Sequence, residues 1–478
     1  MIMENSILKL KNSDLDKLKD LFVFPFYLSV LLILSINANG QINFTKSWQD
    51  TISSSTQDVV LGDVDNDNDL DVLVANRNTG NESTAVFFND GSGNLNSMQI
   101  LNEKATGIDF GDIDNDNDLD ICLIDANYKI HVWLNDGNGI FTASGIEIQT
   151  MSGLEEIYLK DLNADTLPDI LVINAEHPDE LYFNDGNLTF TKSTQTFGPG
   201  TWNGCGSIDI TDINKDGYPD IIKGNWGSPS VQLWINDGKG TFTEKIQNFG
   251  NHRQHVHAIK SDDLDGDDSP DLFVGYSASD LGGEIWLNDG SGNFTKKQTF
   301  KSGKSNFFQD IVLADFDDDG DNDAFIATLG GNNILALNDG TGTFTESEFS
   351  IEANGSMAVT AGDLNGDNKA DIISTDGTGG FNSIWINQSV AITALINDPV
   401  KADHILIYPN PAKHTIQFHH PDLLDIEVIY KILDLSAKTV QSGSTACNTI
   451  DVSKINKGTY LLNLNIDGDV ILEKFVLR

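Results

Sequence analysis

The stretch Asp63–Asp71 reads DVDNDNDLD, with an aspartate at every second position and no lysine or arginine among them. At that density like charges repel one another in a bare strand or helix, so something positive must hold the carboxylates together. The same nine-residue pattern returns as DIDNDNDLD (112–120), DLNADTLPD (161–169), DINKDGYPD (212–220), DLDGDDSPD (263–271), DFDDDGDND (315–323) and DLNGDNKAD (363–371). Successive starts lie 49, 49, 51, 51, 52 and 48 residues apart, the regular period of a repeat architecture.

Each loop offers side-chain oxygen at positions 1, 3, 5 and 9, with Gly or Asn usual at position 6. Four loops supply only aspartate: Asp63, Asp65, Asp67 and Asp71; Asp112, Asp114, Asp116 and Asp120; Asp263, Asp265, Asp267 and Asp271; Asp315, Asp317, Asp319 and Asp323. The other three place asparagine third: Asp161, Asn163, Asp165 and Asp169; Asp212, Asn214, Asp216 and Asp220; Asp363, Asn365, Asp367 and Asp371. Calcium takes six to eight hard oxygen ligands, and short Asp/Asn side chains around a tight turn deliver several of them within a few residues. An EF-hand would close its loop with Glu at position 12, where this chain has Val74, Leu123, Val172, Lys223, Val274, Ile326 and Ser374, so the EF-hand is excluded. Isolated acidic turns rich in local hydrogen bonds would look similar once, but not seven times in phase. The expectation is up to seven Ca²⁺, with the third loop weakest, because β-branched Thr166 stands where a left-handed residue is needed.

The flanks say what the loops join. Four residues before each loop stands Val59, Ile108, Ile157, Ile208, Ile259, Ile311 or Val359, with apolar residues alternating around it, which is strand patterning. A second apolar run follows each loop, then a third ending in Asn-Asp-Gly, as in HVWLNDGNGIFT, the mark of a hairpin into a fourth strand. Four strands per repeat, seven times, predict an all-β, seven-bladed β-propeller over residues 41–390. The seventh repeat stops at SIWINQS (383–389) without its fourth strand, whereas INFTKS (42–47) matches GNFTKK (292–297) in the fifth. The N-terminal strand is therefore expected to complete the last blade and leave the ring no open edge.

The chain has 72 acidic and 29 basic residues, a net charge of −43, and 30 of the acids lie inside the seven loops. Nucleic acid and anionic membranes are excluded as partners of such a surface. Lys9, Lys11, Lys17 and Lys19 precede the apolar run Leu21 to Ile36, which ends in Asn37-Ala38-Asn39-Gly40. This reads as a signal peptide over residues 1–40, cut near Gly40-Gln41, with no stable transmembrane span after processing. Only Cys122, Cys205 and Cys447 occur, far apart and odd in number, so no disulfide framework holds the exported chain, and Cys122 in ICLI reads as a small buried hydrophobe.

At this point the residues resemble a known family: the FG-GAP/VCBS-type repeat propellers with integrin-α-like calcium loops. That resemblance implies a calcium-stabilised interaction scaffold that meets its ligands on the face opposite the metal loops. After a linker (391–404), residues 405–478 lose the acidic bias and alternate as strands, a small β-sandwich. Tyr408-Pro409-Asn410-Pro411-Ala412, the Lys457-Gly458-Thr459-Tyr460 turn and the terminal KFVLR resemble the C-terminal sorting domain of type IX (Por) secretion. The implied partner is that secretion machinery, and the implied destination is the outer-membrane surface or the extracellular space.

No GxSxG, HExxH or Gly-rich phosphate loop is present. Trp202, the NHRQHVH segment with His252, Arg253, His255 and His257, and Trp226 and Tyr276 beside the ends of second strands would gather opposite the metal loops around neighbouring blades. Aromatic faces with polar tips suit an extracellular glycan or peptide. A non-catalytic adhesion or glycan- or protein-binding scaffold is the first expectation. The alternative is a secreted carbohydrate-active enzyme such as a polysaccharide lyase, with His255 or His257 as base and Arg253 holding an acidic substrate near blades 4 and 5.

Overall fold

The computed structural model describes residues 42–477 apart from 51–54, 78–82, 198–204, 228, 251–254, 278–281, 304–306, 330, 350, 352–354, 378–379, 390–405, 409–411, 420–427, 434–437, 446–448 and 467–468. The segments expected to be signal peptide (1–40) and linker (391–404), and with them Trp202, His252 and Arg253, lie outside the described residues.

Seven four-stranded antiparallel sheets follow one another along the chain, and each aspartate loop joins the first strand of its sheet to the second. In blade 1 these strands are Thr56–Gly62, Asp71–Asn76, Ala85–Asn89 and Leu95–Ile100. Second strands such as Asp120–Asp125 and Asp271–Tyr276 are buried at every residue, which is why they read as continuous apolar runs rather than alternating ones. The residues four before each loop pack inward between blades, none more than 5% exposed. Cys122 is buried in the same way, and burial pushes its thiol pKa up.

The seventh blade takes its outer strand from the other end of the chain. Phe44–Gln49 pairs antiparallel with Ser383–Asn387, setting Phe44 opposite Asn387 and Gln49 opposite Ser383. Phe44 packs against Phe316 and Phe349, with ring centroids 6.2 and 5.3 Å away. First strands touch from blade to blade, blade 3 reaching blade 4 through its second strand and through the Tyr158 hydroxyl, which donates to the Ile208 carbonyl at 3.1 Å, and the first strand of blade 7, Val359–Gly362, meets that of blade 1, so the ring closes.

The asparagine of each third-strand turn ties consecutive blades together. Its backbone N–H donates to the position 9 carboxylate of its own loop, while its side-chain amide reaches the position 2 carbonyl of the preceding blade's loop. Asn135 does so to Val64 at 2.7 Å, Asn288 to Ile213 at 2.8 Å, and Asn89 to Leu364 at 2.8 Å across the closure.

Carboxylates at the inner strands form a second set of ties. Asp58, Asp109 and Asp310 each accept the next residue's N–H with one oxygen and an N–H of the following blade, from Ile108, Leu159 and Val359, with the other. In six blades a register shift falls near the start of the first strand, for example between Thr56 and Asp58 and between Phe308 and Asp310. Such bulges re-aim the side chains beside them.

Residues 406–477 form a β-sandwich of one three-stranded and one four-stranded sheet. Ile416, Phe418 and Ile450 from the first meet Ile432, Leu462, Leu464 and Phe475 from the second in one core. Gly458 begins the long strand Gly458–Ile466 at φ 148°, and the Tyr460 hydroxyl donates to the Asn456 carbonyl at 2.9 Å.

Candidate metal loops and ligand face

Every aspartate loop is folded by its own first carboxylate. In loop 1, Asp63 Oδ1 accepts the N–H of Asp67 at 3.1 Å and Oδ2 that of Asn68 at 3.0 Å. The chain must then turn through the left-handed region twice, at positions 4 and 6: φ is 61° at Asn66 and 72° at Asn68, 60° at Lys215 and 92° at Gly217. Position 6 carries its expected Gly or Asn in most loops, while in loop 3 both Ala164 (61°) and Thr166 (78°) adopt this unfavourable geometry.

The carboxylates of positions 1, 3 and 9 then converge. Asp63, Asp65 and Asp71 present oxygens within 4.8 Å of one another, as do Asp112, Asp114 and Asp120, Asp263, Asp265 and Asp271, and Asp315, Asp317 and Asp323. These are the four loops with aspartate third. Position 5 does not join the groups: Asp67 Oδ1 instead accepts the N–H of Asp69 at 3.0 Å, and Asp116 does the same for Asp118. Asp165, Asp216, Asp267 and Asp367 likewise take the N–H two residues on, as Asp319 does.

One atom in each of the four clusters tests whether a cation fits. Asp65 Oδ1, Asp114 Oδ1, Asp265 Oδ1 and Asp317 Oδ1 are buried and accept no hydrogen bond from the described residues. A buried acceptor left without a donor is costly, and a carboxylate more so. In loops 3 and 7 the third residue spends itself locally, with the amides of Asn163 and Asn365 donating to Asp165 and Asp367 at 3.0 and 3.3 Å.

Position 9 has a second duty that its spacing did not disclose. Asp71 is wholly buried, and its oxygens accept the N–H groups of Asn89 (2.9 Å) and Val64 (3.1 Å). Burial raises its pKa to about 6, and in blade 6 burial together with Asp317 pushes Asp323 up to about 9. These carboxylates are short of positive charge from the protein itself, and a divalent cation fits the donor set.

The opposite ends of the blades carry the aromatic candidates. Trp226 follows the second strand of blade 4, Asp220–Asn225, and His255 and His257 stand at the first strand of blade 5, Val256–Asp262, with His257 in its bulge. The Trp226 ring lies near-parallel to both imidazoles, with centroids 5.5 and 5.4 Å away and interplanar angles of 11° and 21°. Its indole N–H is buried and meets no acceptor among the described residues. A side chain at Gly206 would strike that indole, so glycine makes its seat. Burial, and next the charge of His255, hold the His257 pKa down at about 4.

Tyr276 does not belong to this face. It is fully buried between blades 4 and 5, and its hydroxyl donates to Glu284 at 3.0 Å. As the last residue of a strand buried throughout, it follows that strand's alternation into the core.

Family models match both halves of this architecture. The FG-GAP-like repeat matches residues 63–123, 161–222, 263–326 and 315–374, and the secretion system C-terminal sorting domain matches residues 406–478. The chain is an FG-GAP-repeat propeller carrying a type IX secretion sorting domain. The FG-GAP protein is accordingly cargo of that machinery, bound for the cell surface or the extracellular space. No helix among the described residues is long and apolar enough to cross a membrane.

No curated protein matches the FG-GAP chain in sequence. Among solved structures it is similar to an Agrocybe aegerita lectin that recognises non-reducing terminal N-acetylglucosamine, at 18% identity over 68% of this chain and 86% of that one, with a TM-score of 0.47. BBS1N in complex with ARL6DN gives 10% identity over 72% and 96%, TM-score 0.49. PorZ, a surface component of the type IX secretion system of Porphyromonas gingivalis, gives 12% over 85% and 58%, TM-score 0.42.

Proposed function

We propose that the propeller is a calcium-stabilised, non-catalytic binding scaffold outside the cell, which meets a glycan or protein ligand on the blade ends opposite its aspartate loops. The observation that carries this reading is Trp226, its ring stacked near-parallel on His255 and His257. A half-exposed stack of indole and imidazole rings suits the apolar face of a sugar, or a peptide. Asp63, Asp65 and Asp71 and their counterparts in loops 2, 5 and 6 would hold Ca²⁺, which supplies the positive charge their cluster lacks. The three asparagine loops are weaker candidates. A His257 held near 4 is poorly matched to proton transfer at neutral pH, which weighs against use as a lyase base.

The test is binding of the full chain, in millimolar calcium, to an array of polysaccharides and extracellular proteins, beside Trp226→Ala. Specific binding lost in Trp226→Ala supports the scaffold. Polysaccharide cleavage that disappears in the His255→Ala/His257→Ala double variant would replace it with the enzyme.

A further inference from the structure

The first strands of the seven blades wall a cavity of about 340 Å³, and none of its lining residues belongs to the aspartate loops or the Trp226 stack. The two backbone N–H groups that each of Asp58, Asp109 and Asp310 accepts serve the fold. Three other polar atoms of the lining, on consecutive blades, have no protein partner among the described residues. They are Glu156 Oε1, whose sister oxygen takes the Tyr158 hydroxyl at 2.6 Å, Asp209 Oδ1, whose sister takes the Ser261 N–H at 2.6 Å, and Lys260 Nζ.

Lys260 lies deep in the protein, and the surface it keeps accessible lines the cavity. Burial alone would favour its neutral form, but Asp310, Asp209, Glu156 and Asp58 together raise its pKa and keep it an ammonium. The lumen is nonetheless short of cations: burial raises Asp58 to about 6, Asp109 to about 7 and Glu156 to about 8. Among the described residues no three of these carboxylates come within 4.8 Å of one another, a spread too open for a bare divalent ion.

On adjoining walls, Lys260 Nζ and Asp209 Oδ1 without a direct partner among the described residues, and a Glu156 carboxyl that keeps its proton until a cation arrives to replace it, call for a ligand that carries both charges. We propose that the channel binds a small zwitterion of the amino-acid class, with its carboxylate on Lys260 Nζ and its ammonium between Glu156 and Asp209. The surplus of acid in the lumen selects, within that class, members with a second cationic group. The site is separate from the scaffold reading and stands or falls without it.

The experiment is titration calorimetry of the full chain in millimolar calcium with L-lysine as probe. Cadaverine, which lacks the carboxylate, and glutarate, which lacks the ammonium, are the controls. Lysine is expected to bind at least about tenfold more tightly than either control, since each lacks one charged contact. Lys260→Met should bring lysine down to the level of cadaverine, and Glu156→Gln/Asp209→Asn should weaken both amines. Failure of the wild-type chain to bind lysine at millimolar concentration, equal binding of cadaverine, or lysine affinity unchanged in Lys260→Met overturns the proposal. The wild-type comparison decides it even where a variant fails the melting check for folding.

Discussion

Replacing Asp317 by asparagine should move the stability of the propeller in opposite directions with and without calcium. Asp317 is 4% exposed, and its carboxylate lies within 4.8 Å of those of Asp315 and Asp323. Two unit charges at that separation repel by about 0.9 kcal/mol in bulk water and about 3.5 kcal/mol at an effective dielectric of 20. Burial raises Asp317 to about 7, with Asp319 and then Asp315 adding to the rise, and Asp323, pushed up to about 9, is protonated at neutral pH, so Asp319 and Asp315 are the repelling neighbours. Asp317→Asn should therefore stabilise the calcium-free chain by about 1–3 kcal/mol. A site with a Kd of roughly 10⁻⁴ M contributes about 1.4 kcal/mol at millimolar calcium, and the variant should forfeit most of that. At roughly 2 °C per kcal/mol, thermal unfolding of the full chain resolves both effects. The variant should melt above the wild type in EDTA and show a calcium-induced rise smaller by roughly 3 °C, with magnesium giving little rise in either. A variant that melts below the wild type in EDTA, or that keeps the full calcium response, would refute the reasoning.

Glu156 supplies a pH test, because its pKa rises from 4.5 to about 8 through burial, with Asp58 and Asp310 adding and the Tyr158 hydroxyl and Lys260 opposing. The folded chain then holds a proton that the unfolded chain releases, so stability from this group is lost as pH rises from about 4.5 to 8, by up to ~5 kcal/mol. Melts of Glu156→Gln in saturating calcium at pH 5.5 and 8.5 should fall less with pH than those of the wild type; an equally steep fall would sink this assignment. Asn89→Ala removes the amide that ties blade 1 to the Leu364 carbonyl. It should cost about 1–3 kcal/mol in urea unfolding, and a neutral result would mean that water replaces the tie. Phe44→Ala empties the contacts with Phe316 and Phe349 and should cost about 3–5 kcal/mol, with limited proteolysis then cutting first near the N-terminal strand rather than elsewhere.

Most of the ring was legible because its signals are local and repeated. The period, the alternation before each loop and the Asn-Asp-Gly turns belong to single hairpins, and the unpaired seventh repeat pointed back to residues 42–47. What stayed hidden depends on neighbours in space. Spacing could not show that position 5 turns one of its oxygens to the N–H two residues on. Nor could it show that Asn135 reaches across to another blade, because a turn asparagine looks the same whether or not it does. Tyr276 was misplaced because the last residue of a strand reads as loop-facing until the pairing with Val256 is known. The channel acids Asp58, Glu156 and Asp310 passed as ordinary polar residues at strand starts, and only the bulges beside them show where they are aimed.

The pairing of Phe44 with Asn387 also governs the order of assembly. The two strands that seal the ring are more than 300 residues apart in the chain, so the final contact carries the largest loop-closure entropy in the molecule and forms last. A chain emerging from the ribosome or from a membrane pore holds six complete sheets and a seventh with one edge bare until both ends are free. Closure of the ring therefore needs both strands at once, and loss of either leaves one edge of the seventh sheet unpaired.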